Sequence, residues 1–99
     1  MRRRYRFNEN AELFSQCVDD LNSAKASKGT IEVSVRNKKV QVYSRPHDAY
    51  DYIYYGNSIT IKGIIIREKD VRSIITETTR SGVAYELDLH GIIVTLLIY

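Results

Sequence analysis

The chain has little of what would mark a disulfide-stapled, fibrous or membrane-bound protein. Its single cysteine, Cys17, cannot form an internal disulfide, which disfavours a small secreted scaffold. One proline and five glycines are too few for a long flexible linker. The longest apolar run, residues 91–99, is far shorter than the ~20 residues that cross a bilayer. We therefore expect one cytoplasmic domain spanning residues 1–99, with no membrane contact.

Motifs for catalysis or metal binding are also missing. There is no glycine-rich phosphate loop, no zinc-type spacing of cysteine and histidine, and no serine in a nucleophile elbow. Two polar groups remain, and each fits a solvated surface better than an acid–base or metal site. They are His47, Asp48 and Asp51, and Glu86, Asp88 and His90. We expect a non-enzymatic protein with no catalytic residues, no metal and no cofactor.

Positive charge is concentrated in two segments. The net charge is +3, yet four of the 15 basic residues lie in the basic arm, residues 1–7, and the rest of the chain carries 11 basic and 12 acidic residues. Residues 25–45 hold a second basic cluster, with Glu32 as their only acidic residue. These two segments are the candidate sites at which the chain could bind a polyanion.

Residues 10–27 are predicted to form a helix within the segment 8–29. Four apolar residues recur at the spacing of one helical face, namely Phe14, Cys17, Val18 and Leu21. Asn8 or Asn10 is a suitable N-cap, and Gly29 is suited to the left-handed position that closes a helix. The cysteine belongs to the apolar stripe, so we expect a buried core residue and not a nucleophile.

From residue 30 onward the apolar period changes to two, which indicates β-strands. We predict strands at 30–36, 40–43, 50–55 and 58–67, a turn at 37–38, a loop at 44–49 around Pro46, and a turn at 56–57. Within the strand 58–67, Gly63 suggests a bulge. One face of that strand is expected to carry Ile59, Ile61 and Ile65, and the other Ile64 and Ile66.

Residues 68–79 fit either a helix or a strand. Apolar residues fall at helical spacing, but the segment is rich in β-branched residues, so a strand is favoured. A hairpin turn at 80–82, an alternating strand at 83–89 and a turn at 90–91 follow.

The last strand, residues 91–99, has seven apolar residues among the eight after its glycine and is expected to be central and buried on both faces. Its second edge must be covered either by another strand of the chain or by a second copy in a two-fold homodimer. Together the elements predict an α+β domain. Its N-terminal helix packs on a strongly bent, mostly antiparallel sheet or small barrel of six or seven strands.

Tyrosine is the most informative residue type for function. Five of the eight tyrosines lie between residues 43 and 55, and alternation places Tyr50, Tyr52 and Tyr54 on one strand face. We expect this row to face outward, although the helix or the basic arm could also cover it as a small second core. Because tyrosine and arginine are enriched at binding hot spots, a partner-binding surface is predicted. Its residues are Tyr43, Arg45, Tyr50, Tyr52 and Tyr54.

Direct nucleic-acid binding is the first alternative. It would use the arm and the basic hairpin, through Arg2, Arg3, Arg4, Tyr5, Arg6, Arg36, Lys38 and Lys39. Aromatic residues between the arginines suit base stacking. The negative net charge of the chain outside the arm disfavours this function. We therefore rank a protein-binding module first, nucleic-acid binding second and a self-associating structural protein third.

The composition also suggests a biological class. Small, tyrosine-rich domains without motifs are typical of accessory proteins of phages and mobile elements. For a protein of that class, the expected partner is a host nucleic-acid-handling protein that the domain inhibits.

Overall fold

The computed structural model describes residues 9–37, 41–48, 53–55, 57–61, 64–80 and 82–99. Its first element is helix α1, Glu9–Ala26, which confirms the helix predicted over residues 10–27. The predicted apolar stripe packs into the core, with at most 3% exposed surface at Phe14, Cys17, Val18 and Leu21. Burial raises the pKa of the Cys17 thiol, with a smaller contribution from nearby Asp20, as expected for an unreactive core cysteine.

The structure excludes one of the two predicted N-caps. Asn10 is not an N-cap but lies inside α1, and its side-chain Nδ2 donates to the carbonyl oxygen of Arg72 at 3.0 Å. This contact ties the first turn of α1 to a distant part of the chain. Asn8, the other predicted cap, lies outside the described residues.

A Schellman motif ends α1. The N–H of Gly29 donates to the carbonyl of Ala24 at 2.6 Å, and the N–H of Lys28 donates to that of Lys25 at 3.3 Å. Lys28 takes the left-handed conformation, with φ of 59°, so the assignment of this position to Gly29 was wrong. Gly29 is needed for a different reason, because a Cβ there would lie 2.7 Å from the carbonyl oxygen of Tyr99.

Eight strands follow α1 in the described part of the chain: β1 Thr30–Arg36, β2 Gln41–Asp48, β3 Ile53–Tyr55, β4 Ser58–Ile61, β5 Ile64–Arg67, β6 Ser73–Thr78, β7 Val83–Asp88 and β8 Ile93–Ile98. Five form a sheet in the order β2-β1-β8-β7-β6, and three form a second sheet in the order β3-β4-β5. Neighbouring strands pair antiparallel throughout. The predicted α+β class is confirmed, and β6 confirms the strand favoured within 68–79.

Two stretches differ from their predictions. The predicted loop around Pro46 belongs to β2, and proline is tolerated there because β2 is an edge strand, where one side of the ladder is not paired. The long strand 58–67 is a hairpin instead, with β4 and β5 paired antiparallel. The reversal puts Ile66 opposite Ile59 in the core and leaves Ile65 53% exposed, so Ile66, and not Ile65 as predicted, shares a face with Ile59.

Strand β8 is central, as predicted, with β1 and β7 on its two edges. Both edges are therefore satisfied within the chain. The turn from β7 has positive φ at His90 and Gly91, and Leu89 N–H donates to the carbonyl of Ile92 at 2.7 Å. Burial on both faces was wrong, because the residues of β8 alternate between buried and half-buried along the strand.

A single core joins the helix to both sheets. It contains the stripe of α1, the inward residues of the five-stranded sheet, and residues of the three-stranded sheet such as Ile59, Ile61 and Ile66. Tyr85 of β7 is fully buried in this core, and its hydroxyl donates to Asp20 Oδ2 of α1 at 2.5 Å. The helix therefore covers one face of the larger sheet and leaves the opposite face outside this core.

Candidate functional site

Tyr54 is the one member of the predicted tyrosine row among the described residues, and its side chain does not face outward as expected. Tyr54 in β3 is only 5% exposed, so its assignment to an exposed partner-binding surface was wrong. Its register explains the burial, because Tyr54 pairs with Ile59, which has no exposed surface. Tyr50 and Tyr52 lie outside the described residues.

Helix α1 covers Tyr54. The side chain of Asn22 donates from Nδ2 to the carbonyl oxygen of Tyr54 at 3.5 Å. The ammonium nitrogen of Lys25 lies 5.9 Å from the centre of the tyrosine ring, within range of a cation–π contact. At this position the helix covers the tyrosine, as in the alternative prediction, but Tyr54 joins the single core of the molecule rather than a second one.

The remaining predicted site residues are only partly described. Tyr43 and Arg45 lie in β2, opposite Val35 and Val33 of β1, and only their backbone is described. Of the predicted nucleic-acid-binding residues, Arg36 is exposed at the end of β1. The others lie outside the described residues: Arg2, Arg3, Arg4, Tyr5, Arg6, Lys38 and Lys39.

The face of the five-stranded sheet opposite α1 is the candidate binding surface in the described part of the structure. We define this outer face by three rows that cross strands β1, β8, β7 and β6, together with Tyr99, which follows β8. The rows are Glu32, Leu97, Ala84 and Glu77; then Ser34, Thr95, Glu86 and Ile75; then Arg36, Ile93, Asp88 and Ser73. None of these residues is buried, and within the described residues no helix or strand packs over them.

Apolar side chains run through the outer face. Ile75 is 59% exposed and Tyr99 is 47% exposed, while Ile93 and Leu97 are half-buried by their neighbours in the sheet. The Tyr99 hydroxyl donates to Glu32 Oε1 at 3.2 Å, which holds the ring beside that carboxylate. Desolvation and this hydrogen bond raise the pKa of Tyr99. Leu97 adjoins Ala84 and Tyr99, whereas Ile75 and Ile93 each lie among polar neighbours.

The charge of the outer face is acidic. Glu32, Glu77, Glu86 and Asp88 lie on it, against Arg36 as its one basic residue. The acidic residues are interspersed with the apolar ones, since Glu86 is next to Ile75 and Asp88 is next to Ile93. A face that mixes exposed apolar side chains with carboxylates suits a partner with apolar and basic side chains.

Sequence reasoning missed this face, although part of its signal was visible. The alternation in β7 assigned Glu86 and Asp88 to the polar side of a strand. The other residues of the outer face were missed because the unbroken apolar run of β8 indicated a strand covered on both sides. Only the register reveals that its half-buried residues share a face with the carboxylates of three other strands.

The described residues offer no sign of a metal centre or a membrane span. No three histidine, cysteine, aspartate or glutamate side chains among them are placed to hold a metal ion. No helix among them is both long and apolar enough to cross a bilayer. Comparison of the chain with protein-family models, curated proteins and solved structures finds no significant match.

Proposed function

We propose that this protein is a non-enzymatic module that binds a protein partner through the outer face of its five-stranded sheet. One observation carries the proposal. The helix covers one face of the sheet, whereas the other face exposes apolar side chains at its centre and edge, including Ile75 at 59% exposure. A face of this kind gains free energy when a partner removes its apolar area from water.

The charge of the outer face favours protein over nucleic acid. Four carboxylates against one guanidinium repel a phosphate backbone, on which nucleic-acid affinity mostly depends. The same charge attracts proteins with basic surfaces. Nucleic-acid-handling proteins are basic where they bind their substrates, which supports the more specific proposal that the partner is such a protein and that the domain inhibits it.

The predicted tyrosine and arginine surface changes with this proposal. Tyr54 is removed from it because it belongs to the core. Tyr43, Arg45, Tyr50 and Tyr52 remain predicted partner-binding residues. The outer face is the principal surface in the proposal, because its exposure and charge are described.

Ile75→Lys tests the proposal. The protein is immobilised, and capture from a nuclease-treated extract of its source cells is compared between wild type and variant. We expect the variant to lose the specifically captured protein, because a charge replaces an exposed apolar contact. Ile65→Lys is the matched control, since Ile65 is 53% exposed on an edge strand of the other sheet. Equal capture by wild type and Ile75→Lys would rule out the outer face.

A salt titration tests the alternative that the protein binds nucleic acid directly. The protein is titrated with duplex and single-stranded DNA at low salt. The proposal predicts negligible binding. Tight binding whose logarithm falls with log salt by ~0.9 per phosphate contact on the duplex would favour the basic arm and hairpin as the functional site instead.

A further inference from the structure

We propose that the free edge of β6 receives an extended segment of the partner protein as an added strand, and that this segment alternates apolar and basic residues. This inference rests on the proposed function and specifies the chemistry of its partner. Strand addition to an exposed edge is an established mode of peptide recognition, in which backbone hydrogen bonds supply affinity and side chains supply specificity.

The two edges of the five-stranded sheet differ in how well they are protected. Edge strand β2 contains Pro46, and its pairing with β1 shifts register between Val35 and Arg36. Proline and register irregularities are devices that discourage further strand pairing. Edge strand β6 has neither, because its pairing with β7 runs without a shift from Ser73 to Thr78. Within the described residues, β6 is therefore the edge open to another strand.

The backbone of β6 has groups available for such a strand. Thr79 donates its N–H to the carbonyl of Gly82 at 2.6 Å, which fixes the alternation of the β6–β7 ladder. Hydrogen-bonded residues alternate along an antiparallel strand, so the odd-numbered residues of β6 bond to β7, as Thr79 does. The backbone groups of Ile74, Thr76 and Thr78 therefore point away from β7, towards the open edge.

The neighbouring side chains determine what the added strand must carry. On the outer face it would lie beside Ile75 and Glu77, with Glu86 and Asp88 one strand further in. Lysine or arginine at these positions would face carboxylates. On the opposite face the added strand would lie beside Ile74, which is 7% exposed at the edge of the core, and an apolar residue suits that position.

The same charges disfavour a second copy of this chain as the added strand. Pairing two β6 edges about a two-fold axis would bring both outer faces into one continuous sheet. Glu77, Glu86 and Asp88 of each copy would then approach those of the other, and like charges oppose association. A basic partner segment has no such conflict.

The test uses a short synthetic peptide in which lysine alternates with valine, with binding to the intact protein followed by fluorescence anisotropy. Thr76→Pro removes one outward N–H of β6 without removing a bond to β7. We expect it to weaken peptide binding by about tenfold or more. Ile65→Pro is the matched control, because Glu68 N–H bonds to the carbonyl of Asn57 and the same alternation points the Ile65 N–H away from β4.

Two peptide variants complete the test and do not depend on how well the protein variant folds. The backbone nitrogens of the peptide can be methylated either at the lysines or at the valines. One of these two methylated peptides should lose binding, and replacing lysine by glutamate should abolish binding altogether. If the peptide fails to bind while Ile75→Lys still abolishes protein capture, the outer face stands and strand addition is overturned. Undiminished binding of both alternately methylated peptides would also overturn it.

Other occupants of the edge give distinguishable results. A wild-type dimer that Thr76→Pro dissociates in sedimentation would assign the edge to a second copy and overturn the proposal. If glutamine in place of the arginines of the basic arm raised peptide affinity about tenfold, the chain's own arm would be the competing occupant. We expect a monomer and an unchanged affinity.

Discussion

At the scale of single residues, two ionisable groups are held neutral inside the core. Tyr85 and Cys17 have no exposed surface. Burial raises the pKa of both, and the hydrogen bond to Asp20 raises that of Tyr85 further. Ionisation of either group in the folded state is therefore disfavoured. Both therefore stabilise the fold as neutral groups and make it sensitive to alkali.

The predicted pH dependence follows from the direction of these shifts. A raised pKa in the folded state means that the unfolded chain releases the proton first, at about pH 8.5 for cysteine and about pH 10 for tyrosine. The contribution of these two groups to the free energy of unfolding should therefore be constant below this range and fall as pH rises through it. Urea unfolding at a series of pH values measures the decline.

Tyr85→Phe should flatten the alkaline part of this decline above about pH 10, because position 85 then has no phenol to ionise on unfolding. The substitution should also lower stability near neutral pH by about 1–2 kcal/mol through loss of the bond to Asp20. Tyr99→Phe is the control, since Tyr99 is 47% exposed and its loss should change the slope far less. Parallel pH profiles for Tyr85→Phe and wild type would contradict the assignment.

At the scale of elements, local patterns were enough for the helix and most hairpins. The stripe of α1 and the strict alternation of β1 and β7 each point to one core face, so their assignments hold. Errors in the assignment of strand faces occur where both faces of a strand are apolar. Ile53 and Tyr54 are equally apolar, so sequence could not determine which faces the core. A reversal between Ile61 and Ile64 resembles a bulge until its pairing is known.

The candidate site was less predictable than the elements for the same reason. A binding face on a sheet is made from residues of several strands, and their proximity depends on register. Glu32, Glu77 and Glu86 are far apart in sequence but fall in adjacent rows of the outer face. No local pattern in any one strand contains this information.

The closing turn of α1 gives a prediction for a single element. Lys28 has φ of 59°, a conformation that costs a residue with a Cβ about 1 kcal/mol or more. Lys28→Gly should therefore raise the free energy of unfolding by about 0.5–1 kcal/mol, measured by urea denaturation. Ala26→Gly, a control two residues earlier, should lower it by a similar amount because that residue is helical.

Gly29→Ala should act in the opposite direction from Lys28→Gly. A Cβ at Gly29 would lie 2.7 Å from the carbonyl oxygen of Tyr99, so the backbone must shift. That oxygen also accepts a hydrogen bond from Thr30 N–H at 2.8 Å, which the shift would weaken. We expect a loss of about 1–3 kcal/mol. An alanine variant as stable as wild type would contradict the close approach between the helix end and β8.

At the scale of the whole molecule, the fold is a sheet with one face in the core and one face at the surface. Strand β8 shows this asymmetry best, because it is central and its residues alternate between the two environments. Val94 is 1% exposed on the face that α1 covers, and Ile93 is half-buried on the outer face between Arg36 and Asp88. The two residues are adjacent in sequence but lie on opposite sides of the sheet.

This asymmetry predicts opposite results from the same substitution at neighbouring positions. Val94→Lys should unfold the protein, because an unpaired ammonium cannot be buried among apolar side chains. Ile93→Lys should keep the fold, because its ammonium group can reach solvent and approach Asp88. Circular dichroism and urea denaturation of the two variants provide the comparison, and an unfolded Ile93→Lys protein would mean that the outer face is a core face.

Sedimentation of the same variants tests how the outer face is used. If the face were buried in a two-fold homodimer, wild type would sediment as a dimer and Ile93→Lys as a folded monomer. We expect both to sediment as monomers, since both edges of β8 are paired within the chain and the acidic outer faces of two copies repel each other. A face that stays open in the isolated chain and carries this charge is suited to a basic partner, and Ile93→Lys should then weaken partner capture without changing the oligomeric state.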